Sequence, residues 1–374
     1  MYIALIAHYL GPRLGIGQYL ERLLPPLVEE LTHQGFKVII LASPNAVAQT
    51  PALRQLKHSV RLLPLDYSPV TRSVWVATRL ANYCRREKIQ TLVWLSNPIV
   101  LPWHPPTIAI IHDVNEWKVA EKYGNRLKTW LRAMIYLDAS VRFAQQFIVV
   151  SETTQEDLLR FRPNPQLKLK LKAIVNGNDS ALIDLSPVSI PAPSSPFLLS
   201  VGRIDPAAKR LPEAVALVST LREISNEPWE LHLVGGMNAT TKVIGETFLK
   251  SIENKHWVHY HGYISDRALA QWYRQATAVV FLSENEGFGL PIAEAAAFGR
   301  WIVVSQTNQA SRETGKDAVI PIAVNNPQVA TLLKQLQKSP SPPTEIKGQQ
   351  WRKTASAYAT EICRLTREQV SNIQ

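Results

Sequence analysis

Short apolar runs alternate with stretches of helical period along most of the chain; the pattern breaks once, at DLSPVSIPAPSSP (Asp184–Pro196), and then restarts. Ile3–Ile6 reads as a short buried strand, Leu20, Leu23, Leu24, Leu27, Val28 and Leu31 recur at helical spacing until Gly35, and Val38–Leu41 reads as the next strand. Strand, helix, strand in that order makes a crossover unit and a parallel sheet. Further strands are expected at Leu92–Leu95, Thr107–Ile111 and Phe147–Val150. The proline- and serine-rich break holds neither a helix nor a central strand, and it reads as an interdomain linker. Beyond it, strands are expected at Phe197–Ser200, Leu231–Val234, Val258–Tyr260, Ala278–Leu282 and Ile302–Ser305, with a helix near Pro212–Arg222. At 374 residues the chain exceeds what one core usually organises. The expected fold is therefore α/β, two doubly wound domains over residues 1–178 and 197–343, a linker at 179–196 and a helical segment at 344–374, helical over Thr344–Arg367. Ligands of such sheets bind outside the carboxyl ends of the strands, which puts the expected site in a cleft between facing domains.

The composition is that of a soluble globular chain, 46% hydrophobic and 19% charged. MYIALIAHYL, at the start, lacks a basic leader region and a small-residue cleavage pattern, and no apolar run reaches the ~20 residues of a membrane-crossing helix. With two cysteines only, Cys84 and Cys363, these features lead us to expect a cytoplasmic protein. The net charge of +11 is uneven: 22 basic face 12 acidic residues through Lys172, and 19 face 18 beyond it. Such a first half attracts anions, a membrane inner face among them, or is a solvated basic surface. No zinc-finger spacing, aromatic RNA-binding motif or basic helical repeat accompanies the charge, so no nucleic-acid partner is expected.

The sharpest local signal is EGFGLPIAE, Glu286–Glu294. The strand before it delivers Glu286, Gly287 and Gly289 permit a tight turn, and Pro291 suits the first turn of a helix whose amides receive an anion. Glu294 lies about one turn into that helix, so both carboxylates address one bound molecule. Carboxylates accept paired hydrogen bonds from vicinal sugar hydroxyls; the alternative is an acidic cap on a surface helix. Val201-Gly202-Arg203-Ile204-Asp205, with Lys209 beyond, follows another strand directly. Two cations there would stabilise the charge that develops on a departing diphosphate, unless they are ordinary surface charges. The sequence has no Asp-x-Asp pair for a divalent metal, and Glu284 reads as a solvated loop acid.

Gly202-Arg203 with Lys209, Glu286 and Glu294 followed by Ala295 and Gly299, the Val149-Val150-Ser151-Glu152 helix start, Asn176–Asp179 and Glu313–Ala318 occur in the order found in family 4 of the glycosyltransferases. The chain resembles that family across both halves. The resemblance implies the GT-B fold, two facing Rossmann-like domains, and a retaining transfer from a nucleotide sugar. It implies that Arg203 and Lys209 hold the donor diphosphate, Glu286 the transferred sugar and Glu294 the ribose, with Gly202, Gly287 and the backbone of Phe288, Gly289 and Leu290 completing the donor site. It also implies that the C-terminal helix crosses back to the first domain.

In the first half, Gly15-Ile16-Gly17 lacks the third glycine of a dinucleotide fingerprint, Leu20 taking its place, and the resemblance puts Gly15 and Gly17 in a loop against the donor phosphates. His112, at the end of Thr107–Ile111, resembles the strand-end histidine that faces the donor sugar in part of the family; a lone histidine is also often structural. Asp113 is an acceptor-side candidate, and His104 reads as structural. Asn285, Trp301 and Gly235-Gly236-Met237 depart from the family pattern and bear on contacts to the donor base.

The expected function is a metal-independent hexosyl transfer from a UDP- or GDP-sugar to a glycan or lipid-linked acceptor, by front-face attack, with catalytic Glu286, His112, Arg203 and Lys209 and no cofactor. The alternatives are a sugar-nucleotide epimerase or phosphorylase of the same fold, or a non-catalytic basic protein that binds membranes or nucleic acid.

Overall fold

Two parallel sheets organise the chain in a computed structural model that describes residues 1–7, 15–63, 69–96, 98–118, 126–177, 182–191, 193–237, 241–338 and 350–371. The first sheet has seven strands, β1 (Tyr2–Ala7), β2 (Lys37–Ala42), β3 (Val60–Leu62), β4 (Ile89–Trp94), β5 (Thr107–Ile111), β6 (Gln146–Val149) and β7 (Leu171–Ala173), in the order β3-β2-β1-β4-β5-β6-β7. The second has six, β8 (Phe197–Val201), β9 (Glu230–Val234), β10 (Val258–Tyr260), β11 (Ala278–Phe281), β12 (Trp301–Ser305) and β13 (Val319–Ile322), in the order β10-β9-β8-β11-β12-β13. Each is doubly wound, and the order reverses between β1 and β4 in one and between β8 and β11 in the other, where such sheets open a crevice.

The chain forms two compact units, Met1–Gly177 with Gln349–Gln374, and Asn178–Gly348. In the first, the helix Gly15–His33 turns Leu20, Leu23, Leu24, Leu27 and Leu31 wholly inward, each burial worth about 1.5–3 kcal/mol. The C-terminal helix, Trp351–Ser371, packs along it: the buried Tyr19 and Tyr358 hydroxyls are 3.2 Å apart, and Thr354 donates to the Val175 carbonyl at 3.1 Å. Residues 344–349 of the expected helix lie outside the described residues. Glycine is required at 177, where a Cβ would stand 2.6 Å from Trp351 Cγ.

In the second unit, β11 lies with β8 and β12 on either side and is buried along its length. Leu182, Leu185 and Ile190, around the proline-rich segment, pack against the cluster of Phe197, Leu199 and Trp272 on one face of the sheet. Leu198, Leu231 and Leu233 point to the other face, as the two-residue period of a strand demands. Cys84 and Cys363 are both buried and free.

Candidate active site

The crevice position of the second sheet is built by two loops, one after β8 and one after β11. The first begins at Gly202, whose φ of +144° carries the chain sharply off the strand. Its N–H donates to Val234 O at 2.9 Å, Ile204 N–H donates to Gly236 O at 2.9 Å, and Gly235 N–H donates to Gly262 O at 2.8 Å, so the loops after β8, β9 and β10 are zipped together. Gly235 takes part because no other residue fits: a Cβ there would lie 1.8 Å from the Gly202 carbonyl oxygen.

Asp205 caps the short helix Pro206–Lys209 by accepting from Ala208 N–H at 3.1 Å, and its other oxygen accepts from Arg203 Nη2 at 3.1 Å. Arg203 Nε is buried and makes no hydrogen bond. Arg210 follows in the left-handed region, φ 49° and ψ 48°, joining this helix to Leu211–Ser225. It donates to Glu213 at 3.0 Å and to Glu284 of the loop after β11. Glu284 is therefore ion-paired, not the solvated loop acid expected from the sequence: Arg210 comes from a distant turn that spacing alone does not reveal.

The second loop carries Glu286. Its Oε1 accepts from Lys209 Nζ at 2.5 Å and from the Ser283 hydroxyl at 2.8 Å, while Lys209 also stands 4.4 Å over the Phe281 ring. Asn308 fixes this segment by donating to Ser283 O at 2.7 Å. Gly289 caps the helix Leu290–Ala297 at φ +84°, and a Cβ there would meet Ile292 Cδ1 at 2.8 Å. The bonds that pin the turn enter at its carbonyls: Thr314 donates to Phe288 O at 2.6 Å, and Ile292 N–H to Gly289 O at 2.9 Å. Glu294 is buried in the helix, with one oxygen held by the Tyr273 hydroxyl at 3.0 Å. Gly202, Arg203, Lys209 and Phe281 line a common pocket.

Of the expected donor-site residues, the second unit thus joins Lys209 to Glu286 directly and sets Gly202 and Arg203 beside them, with Glu294 in the helix that follows the glycine turn. Ser283, Tyr273, Asn308 and Thr314, which orient these groups, were not legible; their only sequence signal is that of ordinary polar or aromatic residues.

Gly15, Gly17, His112 and Asp113 belong to the first unit. Gly15 and Gly17 stand in the first turn of the helix Gly15–His33 and not in a loop before it, since the helical period of that segment extends back through them. His112 follows β5, donates from Nε2 to the Leu95 carbonyl at 2.8 Å, and meets the Tyr19 ring edge-on at 4.6 Å. Asp113 accepts from Asn115 N–H at 3.0 Å and shapes the turn into the helix Asn115–Lys118. His104 is buried, donating from Nε2 to Val76 O at 3.2 Å.

Burial pulls the His112 pKa from its ordinary 6.5 to about 4, against the hydrogen bond to Leu95, which favours the charged ring. The folded state holds this ring neutral while the unfolded chain takes up the proton near pH 6.5. The contribution is whole above about pH 6.5 and is lost as pH falls towards about 4. We expect stability of the wild type to drop by on the order of 3 kcal/mol across that window beyond the drop in His112→Asn. Urea unfolding at a series of pH values checks it; parallel curves for the two proteins would remove His112 from the account.

Known proteins share this framework. The family model for glycosyl transferases group 1 matches residues 185–355, and that for Glycosyltransferase Family 4 matches residues 20–179. A sucrose-phosphate synthase from Thermosynechococcus elongatus superposes with a TM-score of 0.64 at 19% identity, over 100% of this chain and 98% of its own. Anabaena HepE in complex with UDP-glucose gives 0.65 at 14% identity, over 100% and 99%. The serotype-specific mannosyltransferase WbdA of Escherichia coli is 26% identical over 211 residues, 50% of this chain but 24% of WbdA; the match thus spans about a quarter of that relative's length. The fold is that of GT-B enzymes, two Rossmann-like domains of parallel strands, and it carries a glycosyltransferase. The chain belongs to the family 4 type of glycosyltransferases.

Proposed function

We propose that the chain is a retaining hexosyltransferase that takes its sugar from a UDP- or GDP-sugar and passes it to a glycan or lipid-linked acceptor, with no cofactor and no essential metal. The observation that carries this reading is the meeting of Lys209 with Glu286 at the β8–β11 crevice, with Arg203 on the same loop as Lys209 and its Nε without a partner. Arg203 and Lys209 take the diphosphate, Glu286 a sugar hydroxyl, Glu294 the ribose, and the turn Gly287–Leu290 the remaining donor oxygens. The UDP-glucose bound by HepE and the mannosyl transfer in WbdA's name support a nucleotide sugar and a hexose.

In this mechanism the bond from the sugar C1 to the phosphate oxygen breaks as the acceptor oxygen bonds to C1 on the same face. The acceptor proton passes to the departing phosphate. No enzymic nucleophile is required, and the protein's task is to meet the charge on the leaving group with cations and fixed dipoles. His112, neutral at pH 7, is suited to hydrogen-bonding a sugar hydroxyl, with Asp113 on the acceptor side.

Thermal-shift screening with UDP-, GDP-, ADP- and dTDP-sugars identifies the donor, because a ligand at 100 times its Kd adds about 2.7 kcal/mol to stability. Release of nucleoside diphosphate with transfer to an acceptor, anomeric configuration kept, is the expected result. Inversion, or epimer formation from donor alone, would replace this reading with another.

Acceptors carried on lipid are reached at a membrane surface, and the helix Arg126–Ala133 suits one: Leu127 is 65% and Trp130 58% exposed, with Leu131 and Met134 also exposed. The first half of the chain carries 22 basic against 12 acidic residues through Lys172. Among the described residues no helix is long and apolar enough to cross a membrane. Vesicles containing anionic lipid should retain the protein at low salt and release it at high salt, with Trp130→Ala weakening retention several-fold. Absent or salt-independent binding in flotation would exclude this surface.

A further inference from the structure

Four side chains on one face of the second sheet are unused by the donor site. Glu230 and His232, two residues apart on β9, share a face, and the register sets His259 of β10 opposite His232. Glu230 Oε2 is 3.0 Å from His232 Nε2 and 3.6 Å from His259 Nε2, and one ligating atom from each of the three lies within 4.8 Å of the others. A tetrahedral zinc ion with bonds of about 2.0–2.1 Å sets its ligand atoms roughly 3.3–3.4 Å apart, so the two separations from Glu230 stand close to edges of such a polyhedron, and the histidines, within 4.8 Å, need a small approach to complete it.

Two further observations favour an ion over a plain cluster of hydrogen bonds. His259 Nε2 is shut off from solvent and has no hydrogen-bond partner, a buried nitrogen aimed at a carboxylate beyond bonding distance. His232 Nδ1 lies 2.9 Å from His261 Nε2, which gives the central ring the outer partner that metal-binding imidazoles need to fix their tautomer. Trp272 packs against both rings, at 4.6 and 4.5 Å, and Phe197 against His232 at 4.6 Å, so the central ligand and its outer partner are held before any ion arrives.

We propose that Glu230, His232 and His259 form a divalent metal site of the zinc class, with His261 positioning His232 and water in the fourth place. Without the ion, His232 Nε2 faces a carboxylate that only accepts, so it carries the proton and Nδ1 accepts from His261. With the ion on Nε2 the proton resides on Nδ1, which donates to His261 Nε2, and the proton that nitrogen held moves to His261 Nδ1. No proton is gained or lost by the pair. Glu230 opens β9, while His261 immediately precedes Gly262, the acceptor of Gly235 N–H, so the positioning residue alone borders the zipped loops and the ligand Glu230 lies at the far end of the strand. Its effect is to rivet the short edge strand β10, only three residues long, to β9.

The test uses the full chain stripped with chelator and titrated with zinc chloride by calorimetry, with cobalt(II) as a spectroscopic substitute and thermal melts alongside. One ion per chain, a raised Tm and a visible tetrahedral cobalt spectrum are expected. His259→Asn, on a side chain partly open to solvent, and Glu230→Gln should each abolish the cobalt spectrum, and His261→Ala should weaken affinity by about 10–100-fold. Donor turnover should be unchanged in His259→Asn, which separates this site from the transfer reaction. Absence of binding, or zinc binding that persists at full strength in His259→Asn and Glu230→Gln, would overturn the assignment.

Discussion

Arg203→Ala and Lys209→Ala should each lower kcat by about 10²–10³-fold, the cost of removing one preorganised donor to a developing anion. The two differ in what they leave behind. Lys209 is the cation joined to Glu286 at 2.5 Å, so its loss leaves that carboxylate with the Ser283 hydroxyl as its described donor. Lys209→Ala should therefore raise KM as well as lower kcat, and in combination with Glu286→Gln the losses should fall short of additive, since the pair acts as a unit. Arg203 is tied to Asp205 and presents a planar fork; Arg203→Lys should recover only part of the rate. Steady-state release of nucleoside diphosphate, with circular dichroism to show an intact fold, decides the matter. Near-normal transfer by both alanine variants would end the assignment of these cations to the leaving group.

Gly235→Ala should cost roughly 3 kcal/mol or more, a large loss for one methyl group. Residue 235 has φ of +145°, and the added Cβ would stand 1.8 Å from the carbonyl oxygen of Gly202. The obstacle is backbone, fastened on both sides by the bonds from Gly202 to Val234 and from Ile204 to Gly236, so no rotamer change relieves it. Relief must come from moving the corner that presents Arg203, and the variant should lose turnover along with stability. Gly299→Ala makes the comparison: its φ of +63° is strained but nothing lies within 4 Å, so about 1 kcal/mol is expected. Urea unfolding of both variants, read with the slope as well as the midpoint, separates a clash from simple backbone strain. Equal losses would show that the sheet yields at this point.

Most central strands were legible because both their faces are buried, which leaves continuous apolar runs such as Val279–Leu282. The strands missing from the sequence reading, β3, β7 and β13, are all edges of their sheets. Val60–Leu62 is largely exposed, Leu171–Ala173 emerges from a lysine–leucine alternation, and Val319–Ile322 contains Pro321, which only an edge accepts. At the candidate site, Arg203 and Glu286 stood out because each follows a strand end within about five residues, and Lys209 because it is the next cation after Arg203. Tyr273 and Thr314 did not, since they reach the loop from helices whose approach depends on tertiary packing. The histidines at 232, 259 and 261 escaped notice for the same reason: only the register of β9 against β10 makes them neighbours.

Arg210, held in a left-handed turn with one carboxylate from the helix it opens and another from the far loop, makes the two segments of the proposed donor site a single mechanical piece. A chimera that imports either segment alone from a relative would strand Arg210 or Glu284 without its counter-charge and shift residue 209 relative to residue 286. Efforts to graft a new donor preference should exchange residues 202–213 and 283–294 together.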